Sequence, residues 1–164
     1  MKTTFFILVL FLYNCSFENE QMISSKISII ERVDAHSLKL EKGRFYSIKL
    51  DLTNNTDSTV NYWTMSCSWQ VNWISENKDF RFYIYCPKNV PALEQLKPKE
   101  TKSYNGIIEL VDTSEFDVTK NYKLGFVLIK SNEVIRDIDF YSALDKKITL
   151  GKDIYWSEPF RIDK

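Results

Sequence analysis

Residues 45–53 read Phe45-Tyr46-Ser47-Ile48-Lys49-Leu50-Asp51-Leu52-Thr53, and Asn54-Asn55-Thr56-Asp57-Ser58 follow. Tyr46, Ile48, Leu50 and Leu52 recur at period two, with Ser47, Lys49 and Asp51 between them. That is the pattern of a β-strand with one buried face. The run of turn formers after it ends the strand. Working outward, 26–33 (KISIIERV) reads as a strand, and 60–66 as another that keeps Trp63 and Met65 in phase with Cys67. Residues 102–110 follow. In 122–130, Leu124, Phe126 and Leu128 interleave with Gly125, Val127 and Ile129, which predicts a central strand. Residues 134–141 form a short, ambiguous segment, and 153–162 (DIYWSEPFRI) close the chain with Pro159 favouring an edge. Residues 87–99 hold three of the four prolines and read as a connection with one helical turn at 92–96. No amphipathic helix, internal repeat or long linker is read. About seven to nine short strands between turns predict an all-β antiparallel sandwich.

Composition agrees. The chain has 164 residues, 44% apolar and 27% charged, enough for one domain with its own core. Aromatics at 15% favour strands, and only 4 Gly and 4 Pro exclude collagen-like or low-complexity classes. With 22 basic against 22 acidic side chains and a pI near 6.6, no basic field exists to attract nucleic acid.

The N-terminus carries Lys2 and then Phe5-Phe-Ile-Leu-Val-Leu-Phe-Leu12. A helix over these residues is about 12 Å long, against a hydrocarbon core of roughly 30 Å, so it reads as a signal h-region rather than a span. Leu12-Tyr13-Asn14 offers no small residues for an ordinary secretory cut. Residues 1–15 instead resemble a bacterial lipoprotein signal of the Bacteroidota type. Leu12 matches the lipobox, while Tyr13 and Asn14 depart from its small residues. The resemblance implies that Cys15 takes a diacylglycerol and becomes the mature N-terminus. A plain signal peptide or a buried N-terminal strand is the alternative. The expected organisation is a signal at 1–14, an acylated, polar leash at 15–25 (Glu18 and Glu20 among it) and a domain at 26–164.

With Cys15 set aside, Cys67 and Cys86 form an even pair in an exported setting. Cys67-Ser-Trp-Gln-Val-Asn-Trp73 and Phe80-Arg-Phe-Tyr-Ile-Tyr-Cys86 both alternate, separated by the turn-rich 74–79 (ISENKD). They predict an antiparallel hairpin with Trp73 opposite Phe80 and Cys67 opposite Cys86. Opposed Cα atoms in such a pair lie about 4.5–5.5 Å apart, within disulfide range. A two-residue slip of register would instead leave two buried free thiols.

Three further stretches carry a second resemblance. Leu50-Asp-Leu-Thr-Asn-Asn-Thr-Asp-Ser-Thr-Val60, Leu96-Lys-Pro-Lys-Glu-Thr101 and Tyr122-Lys-Leu-Gly-Phe-Val-Leu128 are similar to bacterial immunoglobulin-like β-sandwiches, and Trp156-Ser-Glu-Pro continues the pattern. The resemblance implies an immunoglobulin-like sandwich and no particular activity.

Catalytic signals are absent. His36 is the lone histidine, no Gly-x-Ser-x-Gly elbow, P-loop or Gly-x-Gly-x-x-Gly exists, and His36 reads as a surface residue. Asp137, Asp139 and Asp145 lack the EF-hand pattern and read as a solvated face. No enzyme activity, cofactor or metal is expected. Trp63, Trp69, Trp73, Phe80 and Phe82 read as core, and parity turns Tyr62, Tyr83 and Tyr85 outward. Such a row is either the outer face of an ordinary sheet or a surface for a sugar or protein partner. Asp57-Ser58-Thr59 resembles the O-glycosylation acceptor of Bacteroidota exported proteins, which would modify Ser58 in a surface turn. The expectation is a non-catalytic envelope lipoprotein, a binding or structural module held at the outer membrane with its facing side open. Inhibition of an exported or envelope protease through a projecting 74–79 or 87–99 loop is the alternative. Its partners would be the membrane, through the lipid, and a protein or glycan, with no nucleic acid.

Overall fold

The alternation at 45–53 becomes β2 (Phe45–Asn54), with Tyr46, Ile48, Leu50, Leu52 and Asn54 all buried on the expected face. The computed structural model describes residues 21–76, 78–84, 86, 88–111, 120–133 and 137–162. Its strands are β1 (Ile23–Val33), β2, β3 (Val60–Met65), β4 (Trp73–Ser75), β5 (Phe80–Phe82), β6 (Pro91–Leu96), β7 (Thr101–Leu110), β8 (Leu124–Val127), β9 (Ile129–Lys130) and β10 (Ile154–Trp156), with one helix, α1 (Asp137–Leu150). The fold is all-β and antiparallel, a sandwich as expected, with this helix added. Ile23 is fully buried, so the domain begins before residue 26 and takes in the end of the expected leash.

One sheet runs β1-β2-β7-β5. The facing layer consists of two ladders, β10-β8-β4 and β6-β3-β9. They join because β8 and β9 are one strand interrupted at Leu128, whose amide bonds Asp153 O (2.9 Å). Tyr46, Ile48, Leu50, Tyr62, Leu96, Ile108, Leu124, Phe126 and Leu128 fill the space between the layers. The odd residues of the β8–β9 strand face the other way. Val127 and Ile129, with Met65 and Trp63 of β3, pack under Phe140, Ala143 and Leu144 of α1. The helix therefore forms a third layer, and the interleaved apolar run at 124–129 is central as predicted.

Four expectations are corrected. Residues 67–86 are not a hairpin: β4 pairs with β8 and β5 with β7, so the chain at 76–79 crosses from one layer to the other. Residues 91–96 form strand β6 on β3 rather than a helical turn. Residues 137–150 form α1, where the sequence predicts no helix. Its apolar stripe runs Phe140, Ala143, Leu144 and then Lys147, and the buried lysine at the fourth position breaks the hydrophobic signal. Finally, Tyr62 is not on an outer face. It is 1% exposed, because α1 buries the face that Trp63 occupies and leaves the sandwich interior to Tyr62.

Between β3 and β4 the chain leaves its lane for an excursion over 66–72. Its 3-10 turn (Trp69–Asn72) drives Trp69 against Gly106 of β7, where an added Cβ would lie 3.1 Å from the indole. Trp69 also meets Tyr104 (centroids 4.8 Å) and Phe82 (6.1 Å), closing the side of the sandwich. Asn72 fills the gap in the lane, its Nδ2 donating to Trp63 O (3.0 Å) and Val127 O (3.1 Å). Cys67 and Cys86 hold this excursion to the β5–β6 connection at disulfide distance, with Cα atoms 6.0 Å apart. Ser66 N donates to Val90 O beside them (2.8 Å).

Candidate functional site

The expected tyrosine row does not assemble. The Tyr62 hydroxyl is 2.7 Å from that of Tyr104 in the interior, and burial, together with Tyr104, pushes its pKa far above the ordinary phenol value. Tyr83 is half-buried: its hydroxyl donates to Leu38 O (3.3 Å) and its ring meets Phe45 edge-on (6.1 Å). Tyr85 and Cys15 lie outside the described residues. Ser58 is exposed in the β2–β3 turn as expected, and His36 is exposed in the 3-10 turn Ala35–Leu38 capped by Asp34. Asp137, Asp139 and Asp145 fall on α1. Among the described residues no three His, Cys, Asp or Glu side chains come together. Of the two expected inhibitory loops, 87–99 contains the paired strand β6, and 74–79 begins in β4, paired with β8, with Glu76 N donating to Lys123 O (3.2 Å).

A different surface is concave and aromatic. A groove of about 530 Å³ runs between the open edges of the two layers, lined by Trp73 and Ile74 of β4, Phe80 and Phe82 of β5, and Ile154 and Trp156 of β10. Helix α1 covers one end of the outer sheet face and stops at Leu150, and Ile148 lines the groove beside that end. Trp156 is opposite Gly125 in the β10–β8 register. A Cβ on Gly125 would lie 2.8 Å from the Trp156 ring and 2.7 Å from Ile154, so only glycine lets β10 lay these side chains on the sheet. Trp73 sits beneath, packed on Phe126 at 5.2 Å and 5% exposed.

The rim is polar. Glu76 and Lys78 are exposed, and Arg81 forms an ion pair with Glu109 that raises the guanidinium pKa further. The β5 wall of the groove is also the edge of its sheet. Asp79 O accepts from Val111 N (2.8 Å), and Tyr83 N donates to Ile107 O (2.8 Å), so these residues face β7. By antiparallel alternation, the N–H and C=O of Phe80 and Phe82 point away from β7. No described strand pairs with that edge. The sequence does not predict this groove. The only available signal was Gly125 within an apolar strand and Trp156 within the last, and their apposition depends on pairing over thirty residues.

A second cleft, of about 580 Å³, lies between α1 and the segments flanking it. Lys147, only 7% exposed, pairs there with Glu133 (3.0 Å) and with Asp153, and Lys130 reaches Asp153 at 3.6 Å. Burial opposes the charge on Lys147, but its bonds to Asp153 and Glu133 outweigh that and raise its pKa. Burial likewise works against the Asp153 carboxylate, and Lys147 outweighs it and lowers that pKa. The cleft's buried cation is thus consumed in docking the helix.

Fold and groove together define an antiparallel β-sandwich with a helical third layer and an aromatic trough along one open side. The chain matches no family model and no curated protein. Among solved structures it is similar to a FixG-related protein from Vibrio parahaemolyticus, at 8% identity and a TM-score of 0.41, over 88% of this chain and 99% of that one. So distant a likeness bears neither on function nor on finer classification.

Proposed function

We propose that the protein is a non-catalytic binding module held at the cell envelope through acylated Cys15, and that the groove takes an extended peptide segment of an envelope partner. The supporting observation is the outer edge of β5, where alternation turns the Phe80 and Phe82 backbone groups away from β7, beside a trough lined by Trp73, Phe82 and Trp156. Strand addition supplies main-chain hydrogen bonds, and aromatic pockets then select side chains. A protease inhibitor needs a loop that projects free of the sheets, and the pairing of 91–96 with β3 and of 73–75 with β8 favours the groove over that reading.

Selection of a displayed random peptide library against the purified mature protein tests the site. Bound peptides should slow amide exchange at Phe80 and Phe82 and lose about tenfold in affinity, or roughly 1.4 kcal/mol, on Trp156→Ala. Protection elsewhere, indifference to Trp156→Ala, or no binder at all would overturn the groove as a peptide site. The anchor is tested separately by intact mass from the native membrane fraction. A mass of residues 15–164 plus acyl chains is expected, and an unlipidated mass excludes the anchor.

A further inference from the structure

The first described residues are fixed at one pole of the sandwich. Gln21 O accepts from Asn55 Nδ2 (2.8 Å), Met22 O from Asn55 N (2.9 Å), and Ile23 is fully buried. Ser24 Oγ is 3.4 Å from Asn55 Oδ1, and the Tyr155 hydroxyl donates to Met22 Sδ at 3.8 Å. This pole consists of the β2–β3 and β6–β7 turns, drawn together by Asn54 N to Glu100 O (3.0 Å) and the Lys99–Asp57 ion pair (3.5 Å). Lys97, Pro98, Lys99, Asp57, Ser58 and Thr59 are exposed on it.

Between Cys15 and Gln21 lie residues 16–20. Fully extended, that connection reaches about 20 Å. The β10 wall of the groove reaches back to Met22 through Tyr155, but its β5 edge lies toward the other end of β2. Phe80 pairs with Leu110, whose amide bonds Arg44 O at the start of β2, whereas Ile23 pairs with Asn54 at its end. A ten-residue strand such as β2 spans about 34 Å.

We propose that the pole carrying the β2–β3 and β6–β7 turns is the membrane-facing surface, apposed to the lipid headgroups that hold Cys15, and that the β5 edge of the groove, with Glu76 at its rim, is held away from the bilayer. This rests on the anchoring reading. Its own content is the polarity, set by where the chain leaves the fold and how little of it remains before the acylated residue. The leash is shorter than the domain, so the domain cannot invert without crossing the headgroup layer.

The test uses the acylated protein in phosphatidylcholine vesicles bearing a headgroup-attached energy-transfer acceptor. Donors are placed, without reduction, on Ser58→Cys at the pole or Glu76→Cys at the groove rim. Transfer from position 58 should exceed that from position 76 several-fold. Insertion of a long Gly-Ser segment after Glu20 should reduce the difference toward unity. Equal transfer from the two positions without the insertion, or stronger transfer from 76, would overturn the orientation. Failure of the purified protein to carry acyl chains or to co-sediment with vesicles would instead overturn the anchor, a distinguishable result.

Discussion

Asn54 shows how much one buried amide can organise. Its Nδ2 donates to Ser58 O (2.7 Å), Leu96 O (3.0 Å) and Lys97 O (3.0 Å), while Oδ1 accepts from Thr56 N (2.9 Å) and Thr56 Oγ1 (2.8 Å). Asn54→Ala should therefore destabilise the fold by about 3 kcal/mol, because buried carbonyls lose their donor; urea unfolding measures this. Asn54→Asp should do no better, since its carboxylate would face the same carbonyls. Gly125→Ala should cost about 1–3 kcal/mol by overpacking and shift the Trp156 environment, visible in tryptophan fluorescence. The sequence carried the turn at 54–58 plainly, because Asn, Thr, Asp and Ser act through bonds to their near neighbours. The burial of Tyr62 was not legible. Alternation says that Tyr62 and Trp63 face opposite ways, and both ways are inside once α1 covers one of them.

At the scale of elements, α1 depends on a charge. Lys147→Ala would leave Asp153 and Glu133 without their shared cation and should cost about 3 kcal/mol, with selective loss of helical dichroism. The lowered pKa of Asp153 sets the sign in acid. Its contribution is fully present above the unfolded value of about 4 and is lost as pH falls through the depressed folded value. The raised pKa of Lys147 sets the other limit, with stability present below about 10.4 and lost as pH rises through the higher folded value. Lys147→Met should flatten the acid arm relative to the wild type, measured by unfolding between pH 2 and 7. The cysteine pair is an element-scale device too. Replacing Cys67 and Cys86 by Ser should cost up to about 3 kcal/mol and speed exchange most over 66–72, where Trp69 closes the sandwich. The proximity of these cysteines was anticipated through a hairpin that does not exist. Period two tells which face a residue takes, and it is silent about which strand lies beside it.

At the scale of the molecule, the two layers, the helix and the groove arise from pairings distant in sequence. The one-sided β2, the both-sided 124–129 run, the turn at 54–58 and the antiparallel sandwich class were all determined by the sequence alone. Each rests on local periodicity or on side-chain bonds to the adjacent backbone, and such signals survive without knowledge of neighbours. The tertiary structure alone decided that 73–75 and 80–82 part company, that 91–96 is a strand, and that a helix with a buried lysine roofs the outer sheet. It alone brought Trp156 onto Gly125 beside the open edge of β5, and placed Ile23 at the end of β2 far from that edge. These outcomes depend on which apolar faces remain uncovered after the local elements form, and that is a property of the whole chain's burial rather than of any window within it.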